Sequence, residues 1–151
     1  MLFLYSKRGK VMLYNEIKQA NIQAMKDKDT VARSFYSVLL NKIKLREIDK
    51  RTSGDELVDG DIVNIVQKTI KELEEEKENY AKVGNAEEVE KITKQITIAE
   101  KYLPKQMSEE EIKEEILALA DRSIPNVMKH FKANFNGQCD MKKVQEILKG
   151  L

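Results

Sequence analysis

Apolar residues recur at intervals of three and four along most of the chain, which is the period of an α-helix with one buried face. The first series predicts a helix from about Met12 to Lys26. Its inward positions are Leu13, Ile17, Ala20 and Ala24. No stretch alternates between apolar and polar residues as a half-buried β-strand would, and no internal repeat is present. The pattern therefore predicts an all-α protein.

A second helix is predicted from about Thr30 to Ile48, after the polar break at residues 26–29. Asp29 precedes it, and an aspartate in this position can accept a hydrogen bond from the first free backbone N–H groups of a helix. The same spacing predicts one inward stripe on this helix. Its positions are Val31, Phe35, Val38, Leu39, Leu45 and Ile48.

The next two helices are predicted to form a long antiparallel hairpin. The third runs from about Gly60 to Val83 with Asp59 as its N-cap, and at ~1.5 Å per residue it spans roughly 35 Å. Gly84 suits the left-handed conformation that commonly ends a helix, and Asn85 can cap the fourth helix, about Ala86 to Leu103.

The segment that follows predicts a hinge. Pro104 cannot continue a helix, and it disfavours the helical conformation at Leu103. Four residues later, Ser108 and Glu111 have the spacing of a capping box that opens a new helix. We therefore predict a domain boundary here, with a helical domain at residues 12–103 and a smaller one at residues 104–151.

Three short helices are predicted after the hinge. The first runs from about Glu109 to Asp121. The second starts at the break of residues 123–125, where Pro125 fits a first helical turn. Asp140 caps the third, about Met141 to Lys149. The fold class is thus all-α, with two modules: an N-terminal bundle containing a long antiparallel helical hairpin, and a small C-terminal three-helix module. Residues 1–11 do not fit the pattern, and we interpret them as an extension.

Charge is distributed unevenly, although the 151 residues sum to a net charge of only +1. Residues 1–51 hold 12 Lys and Arg against 5 Asp and Glu, residues 52–103 hold 7 against 13, and residues 104–151 hold 8 against 8. A basic segment followed by an acidic one indicates either nucleic-acid contact or helices that pack through opposite charges. The sequence leaves both interpretations open.

Catalytic patterns are missing from the sequence. The single histidine, His130, has no Ser or Cys partner at a motif spacing, and the six glycines form no phosphate-binding loop. The single cysteine, Cys139, excludes an internal disulfide and fits a reducing cytoplasm. No apolar run approaches the ~20 residues that span a bilayer. We expect no catalytic residues, cofactor, metal or membrane contact, and a cytoplasmic protein.

Surface lysines are the remaining candidates for function. Lys142 and Lys143 lie in the first turn of the last predicted helix, where a cation opposes the helix dipole, so another role is indicated for them. Phosphate binding is such a role. The candidate RNA-binding residues are Lys129, Lys132, Lys142 and Lys143. A second basic cluster, which the dipole at a helix C-terminus explains equally well, comprises Lys42, Lys44, Arg46, Lys50 and Arg51.

Three segments carry a resemblance to a known family. They are Asn-Ile-Gln-Ala-Met-Lys-Asp-Lys-Asp at residues 21–29, Lys-Tyr-Leu-Pro-Lys-Gln-Met-Ser-Glu-Glu-Glu-Ile at 101–112, and Asn-Val-Met-Lys-His-Phe at 126–131 followed by Gly-Gln-Cys-Asp-Met-Lys-Lys-Val at 137–144. Over residues 12–151 the chain resembles the YqeY family, which is similar to the C-terminal tail of the GatB subunit of tRNA-dependent amidotransferase.

The resemblance implies a two-part helical fold and association with tRNA. It implies a noncatalytic accessory module, since no residues here match the carbon–nitrogen ligase chemistry, with glutamine as amide donor, that is associated with the family. One alternative is an adaptor that binds an aminoacyl-tRNA synthetase or an amidotransferase subunit. A free-standing enzyme is a further alternative, which amide transfer by the isolated chain would establish.

Overall fold

The structure, a computed structural model, describes residues 12–151, and within that range it contains helices and no strands. The all-α prediction is therefore confirmed. The predicted extension at residues 1–11 lies outside the described residues. The helices are α1 (Met12–Lys26), α2 (Thr30–Thr52), α3 (Asp59–Lys82), α4 (Ala86–Glu100), α5 (Glu109–Leu117), α6 (Ile124–Asn134) and α7 (Met141–Lys149).

Most helix starts follow from local side-chain caps, as predicted. Asp29 accepts from the backbone N–H of Ala32 at 3.0 Å, and Asn85 accepts from that of Glu88 at 3.2 Å. Asp140 caps α7 in the same way. These bonds satisfy N–H groups that have no partner inside the helix, and for that reason the first residue of a helix can be predicted from nearby sequence.

The predicted cap of α3 is wrong. The N-cap residue is Val58, and its backbone N–H donates to the carboxylate of Asp61 at 3.0 Å. Asp59 is instead the first residue of the helix, and its carboxylate accepts from the backbone N–H of Leu13 at 3.2 Å. Asp59 therefore ties α3 to the start of α1, a contact that depends on tertiary structure.

The first compact unit ends at Tyr102 and contains α1 to α4. Helices α3 and α4 form an antiparallel hairpin that turns at Gly84, whose φ of 72° is in the left-handed region that favours glycine. Helices α1 and α2 pack on each other and on this hairpin. The fully or nearly buried apolar residues include Ile17, Leu39, Ile43, Ile62, Val66, Ile92 and Ala99.

The inward face predicted for α2 is wrong in three positions. Val38, Leu45 and Ile48 are 51%, 56% and 47% exposed. The buried positions of α2 are Ala32, Phe35, Tyr36, Leu39 and Ile43. The helix carries two apolar stripes, and the helical period alone does not say which one meets the core. The structure buries the stripe that contains the aromatic rings, which offers the larger apolar area.

The second compact unit runs from Leu103 to Leu151 and contains α5, α6 and α7. Ser108 and Glu111 form the predicted capping box, since each side chain accepts from the backbone N–H of the other residue at 3.1 Å. The core of this unit comprises Ile112, Ile116, Val127, Phe131, Cys139 and Val144, with seven partly buried apolar residues packed against it.

Two helices end earlier than predicted. Helix α4 ends at Glu100, and residues 101–108 are not helical, so no helix crosses Pro104. Helix α5 ends at Leu117, because Arg122 folds back and donates to its terminal carbonyl at 2.8 Å. Such a donor replaces the next turn of helix as the partner of the last carbonyl groups.

Candidate nucleic-acid interface

Helix α6 separates a buried face from an exposed pair of lysines. Val127 and Phe131 are fully buried in the core of the second unit. Lys129 and Lys132 are both exposed, and residues three apart on a helix lie on the same side of it. Within residues 12–151 neither ammonium group has an ion-pair partner. Both charges therefore face water and are available to a ligand.

Two lysines in the first turn of α7, Lys142 and Lys143, differ in whether they form an ion pair. Lys143 Nζ lies 2.9 Å from Glu109 Oε1 at the start of α5, and the hydrogen bond and charge of Glu109 raise the pKa of Lys143. Lys142 is exposed, and it makes no ion pair in the part of the chain that the structure describes. Of these two lysines, only Lys142 has no acidic partner among the described residues.

The first turn of α7 also has its own negative charge. The carboxylate of Asp140 accepts from the backbone N–H of Lys142 at 3.0 Å, which satisfies one free donor and places an anion at the positive end of the helix dipole. The carboxylate of Glu109 forms an ion pair with the side chain of Lys143 and so offsets its positive charge. The unfavourable placement of two cations at this helix start is thus largely offset within the unit.

The turn before α7 contacts the segment that follows Pro104. Gln106 Nε2 donates to the carbonyl of Gly137 at 2.7 Å and to that of Pro104 at 2.9 Å. The backbone N–H of Met107 donates to the carbonyl of Gln138 at 2.8 Å. Gln106 is not among the residues predicted to be functional. Its partner Gly137 lies thirty-one residues away along the chain, so no local pattern could have revealed this contact.

The side chain of His130 on α6 contacts α5 and a neighbouring residue of its own helix. Its Nε2 lies 2.8 Å from Glu115 Oε1 on α5, and Asn134 donates to its Nδ1 at 3.2 Å. Because Asn134 donates to Nδ1, Nε2 carries the proton of the neutral ring and donates to Glu115. The ring also meets Phe131 and Phe135 edge-on, with centroids 5.7 and 5.9 Å away. This set orients α6 on α5.

The second basic cluster is mostly paired inside the first unit. Lys42 Nζ lies 2.7 Å from Glu72 on α3, and Lys50 Nζ and Arg46 Nη2 lie 3.2 and 3.7 Å from Asp61. Arg51 is 3.7 Å from Glu47 on the same helix. Lys44 alone has no such partner among the described residues. The basic α2 thus packs on the acidic α3 through opposite charges. This is the second of the two interpretations of the uneven charge distribution, and it requires no ligand.

Other chemistry finds little support in the described residues. Cys139 is buried, and burial raises the pKa of its thiol, which keeps it protonated and unreactive. No group of three or more His, Cys, Asp or Glu side chains within residues 12–151 could hold a metal ion. None of the helices that the structure describes has the length and apolar character needed to cross a membrane.

The fold and the surface define a class: an all-helical protein of two compact units, the second of which presents three exposed lysines, Lys129, Lys132 and Lys142, that have no ion-pair partner among the described residues. The chain belongs to the YqeY family, since a family model described as Yqey-like protein matches residues 14–151, nearly its whole length. No curated protein matches it.

Proposed function

We propose that this YqeY-family protein is a noncatalytic accessory module that binds tRNA in the cytoplasm. The observation that carries the proposal is that three of the four predicted RNA-binding lysines, Lys129, Lys132 and Lys142, are exposed and have no ion-pair partner among the described residues. Lysine ammonium groups bind phosphate oxygens as point charges, without sequence preference. The similarity of the family to the tail of GatB supports tRNA as the nucleic acid.

Ion pairs with carboxylates determine which of the predicted cations we include in the proposed tRNA contact. Lys143 contributes less than its neighbours, because binding a phosphate requires it to leave Glu109. Lys42, Arg46, Lys50 and Arg51 are excluded from the proposed contact set, because each already has a carboxylate nearby. The proposed interface is thus confined to α6 and the first turn of α7.

A salt titration of tRNA binding tests the proposal. We expect the wild-type chain to bind tRNA in a filter-binding assay, with affinity that falls steeply as salt rises. Replacing Lys129, Lys132 and Lys142 together by Gln removes three phosphate contacts. The slope of log K against log salt should then become less negative by about 2–3, following roughly 0.9 for each phosphate neutralised.

A charge-matched variant separates the interface from net charge. Lys26, Lys68 and Lys101 are exposed and unpaired among the described residues, and they lie in the first unit. Replacing these three by Gln changes the net charge equally and should leave the slope unchanged. Absence of tRNA binding at low salt, or an equal change of slope in both triple variants, contradicts the proposal.

The second candidate is a protein-interaction adaptor for an aminoacyl-tRNA synthetase or an amidotransferase subunit. Two observations favour it: the near-neutral net charge, and the acidic excess of residues 52–103, which contain α3 and α4. Strong RNA-binding domains are usually clearly basic. Recovery of such a subunit with the chain from RNase-treated lysate favours the adaptor, and recovery that RNase abolishes favours the tRNA module.

A further inference from the structure

The outer face of α2 carries a series of exposed residues at heptad spacing. The three exposed apolar residues Val38, Leu45 and Ile48 lie on the side of the helix opposite its buried stripe. They are seven and three residues apart, and together with three exposed polar residues of the same face they form a series in steps of four and three, which is the spacing of the a and d positions of a coiled coil. The complete exposed series, which we call the α2 seam, is Ser34, Val38, Asn41, Leu45, Ile48 and Thr52.

The α2 seam extends over most of the length of α2. In heptad notation Val38, Leu45 and Thr52 occupy a, and Ser34, Asn41 and Ile48 occupy d. The register extends back to Val31, a half-buried a position. From Val31 to Thr52 the helix therefore contains three full heptads, about 33 Å at ~1.5 Å per residue.

The charges beside the α2 seam indicate what can cover it. Lys44 occupies a g position and Asp49 the following e position, and in the described residues neither side chain has a partner. In a parallel two-stranded coiled coil, g of one helix faces the next e of the other. Two parallel copies of α2 therefore place Lys44 of each copy beside Asp49 of the other. The neighbouring e residue Lys42 is already engaged by Glu72.

Of the three polar residues of the α2 seam, Asn41 lies between the apolar positions and favours the same arrangement. In a parallel pair, Asn41 faces Asn41 of the second copy, and the two amides can bond to each other. In an antiparallel pair d positions face a positions, so Asn41 meets Val31, Val38, Leu45 or Thr52 in place of a second amide, and opposite any of the three apolar residues its amide loses its hydrogen bonds. At an a position a single Asn is a known means of fixing the register of a coiled coil, and Asn41 offers the same amide pair at a d position.

We propose that the α2 seam is a self-association surface through which two copies of this chain form a parallel, two-fold symmetric dimer. The contact places the apolar residues of the α2 seam against their symmetry mates, with the two Lys44–Asp49 pairs at its edges. The surface is small, so the dimer is weak and forms at high local concentration. The proposal does not depend on tRNA binding, whose candidate lysines lie on α6 and α7.

Sedimentation equilibrium over about 10 µM to 1 mM tests the proposal, a range that covers weak association. We expect the wild-type chain to dimerise with rising concentration. Leu45→Asp places a charge in the centre of the α2 seam and should leave only monomer across the range. Val83→Asp, at a residue 77% exposed beside the hairpin turn and away from the α2 seam, is the matched control and should dimerise as the wild type does.

A charge exchange tests the parallel arrangement. Lys44→Glu and Asp49→Lys each create two like-charge contacts per dimer, and each should raise the dissociation constant about fivefold. The double variant exchanges both charges and should restore the wild-type value. Residues five apart do not face each other on one helix, so restoration cannot arise within a single chain. Circular dichroism confirms that each variant keeps its helices.

Three outcomes overturn the proposal. If the wild-type chain remains monomeric over the whole concentration range, the α2 seam is not a self-association surface. Its partner would then be a different molecule, such as an amphipathic helix of another protein. A dimer that survives Leu45→Asp uses another surface. Failure of the double exchange to restore dimerisation, after both single changes weaken it, excludes the parallel arrangement.

Discussion

A hydrogen bond between two tyrosines fixes the last residue of the first unit. The hydroxyl oxygens of Tyr36 and Tyr102 are 2.7 Å apart, and the rings meet at 74° with centroids separated by 6.3 Å. Tyr36 is 6% exposed, so water would not readily replace the hydroxyl of Tyr102 as its hydrogen-bond partner if that hydroxyl were removed. Burial and the bond to Tyr36 raise the pKa of Tyr102. The Tyr-Leu-Pro segment is therefore anchored at its first residue.

We predict that Tyr102→Phe lowers the free energy of unfolding by about 1 kcal/mol at pH 7.5. The raised pKa means that the folded chain holds the phenol proton more tightly than the unfolded chain. The stabilisation by Tyr102 is thus complete below about pH 10 and is lost as pH rises through the folded-state pKa. Urea unfolding of both proteins at pH 7.5 and 10.5 should show a smaller difference at the higher pH.

Tyr36→Phe, in which the partner hydroxyl is removed instead, provides the coupling measurement. The double variant Tyr36→Phe/Tyr102→Phe should cost less stability than the sum of the two single changes, because it leaves no unpaired hydroxyl. Strictly additive losses, or a difference between wild type and Tyr102→Phe that is the same at both pH values, would contradict this account.

At the scale of single helices, four starts were predicted correctly, whereas the cap of α3 and part of the buried face of α2 were not. Asp29, Asn85, Ser108 and Asp140 cap helices as the sequence predicted, since each bonds to a backbone group within three residues. The stripe predicted for α2 was right at Phe35 and Leu39 and wrong at Val38, Leu45 and Ile48, because two apolar stripes satisfy the same period. Which stripe is buried depends on the helices around it, and local sequence does not contain that information.

The capping box of α5 leads to a prediction at this scale. Helix α5 has only nine residues, so a single cap accounts for much of its stability. Ser108→Ala removes the acceptor for the backbone N–H of Glu111 and should lower the stability of the second unit by about 1 kcal/mol. Thermal and urea unfolding measure the change in stability. Hydrogen exchange of the amides of α5 to α7 shows whether the change lies in the second unit.

Ser37→Ala is the control for the capping prediction. Ser37 is exposed in the interior of α2, where alanine has the higher helix propensity, so this change should be neutral or slightly stabilising. If both substitutions have the same effect on α5 to α7, the cap is not what stabilises the start of α5.

At the scale of the whole molecule, the chain forms two compact units with separate cores. The second unit has 49 residues from Leu103 to Leu151, and units of this size bury a smaller fraction of their surface than larger domains do. Its helices and the segments between them are nevertheless joined by specific contacts. They include Glu109 to Lys143, Glu115 to His130, and Gln106 to Gly137.

We predict that the two units lose structure separately when one core is damaged. Phe131 is fully buried in the second unit, and Phe131→Ala should cost about 3–5 kcal/mol there. Native-state hydrogen exchange should then show loss of protection in α5 to α7 while α1 to α4 stay protected.

Phe35→Ala is the matched reciprocal variant, since Phe35 is 3% exposed in the first unit. It should lower protection in α1 to α4 and spare α5 to α7. If either variant accelerates exchange equally in both units, the chain unfolds as one cooperative body and the prediction is wrong.

The sequence by itself determined the helical class, the capped helix starts and the interruption at Pro104, because each arises from periodicity or from bonds between residues a few positions apart. Tertiary structure decided which stripe of α2 is buried, which lysines are neutralised by carboxylates, and that Gln106 joins the turn at Gly137. These features depend on residues tens of positions apart along the chain. Only packing brings them within the few ångströms over which hydrogen bonds and ion pairs act.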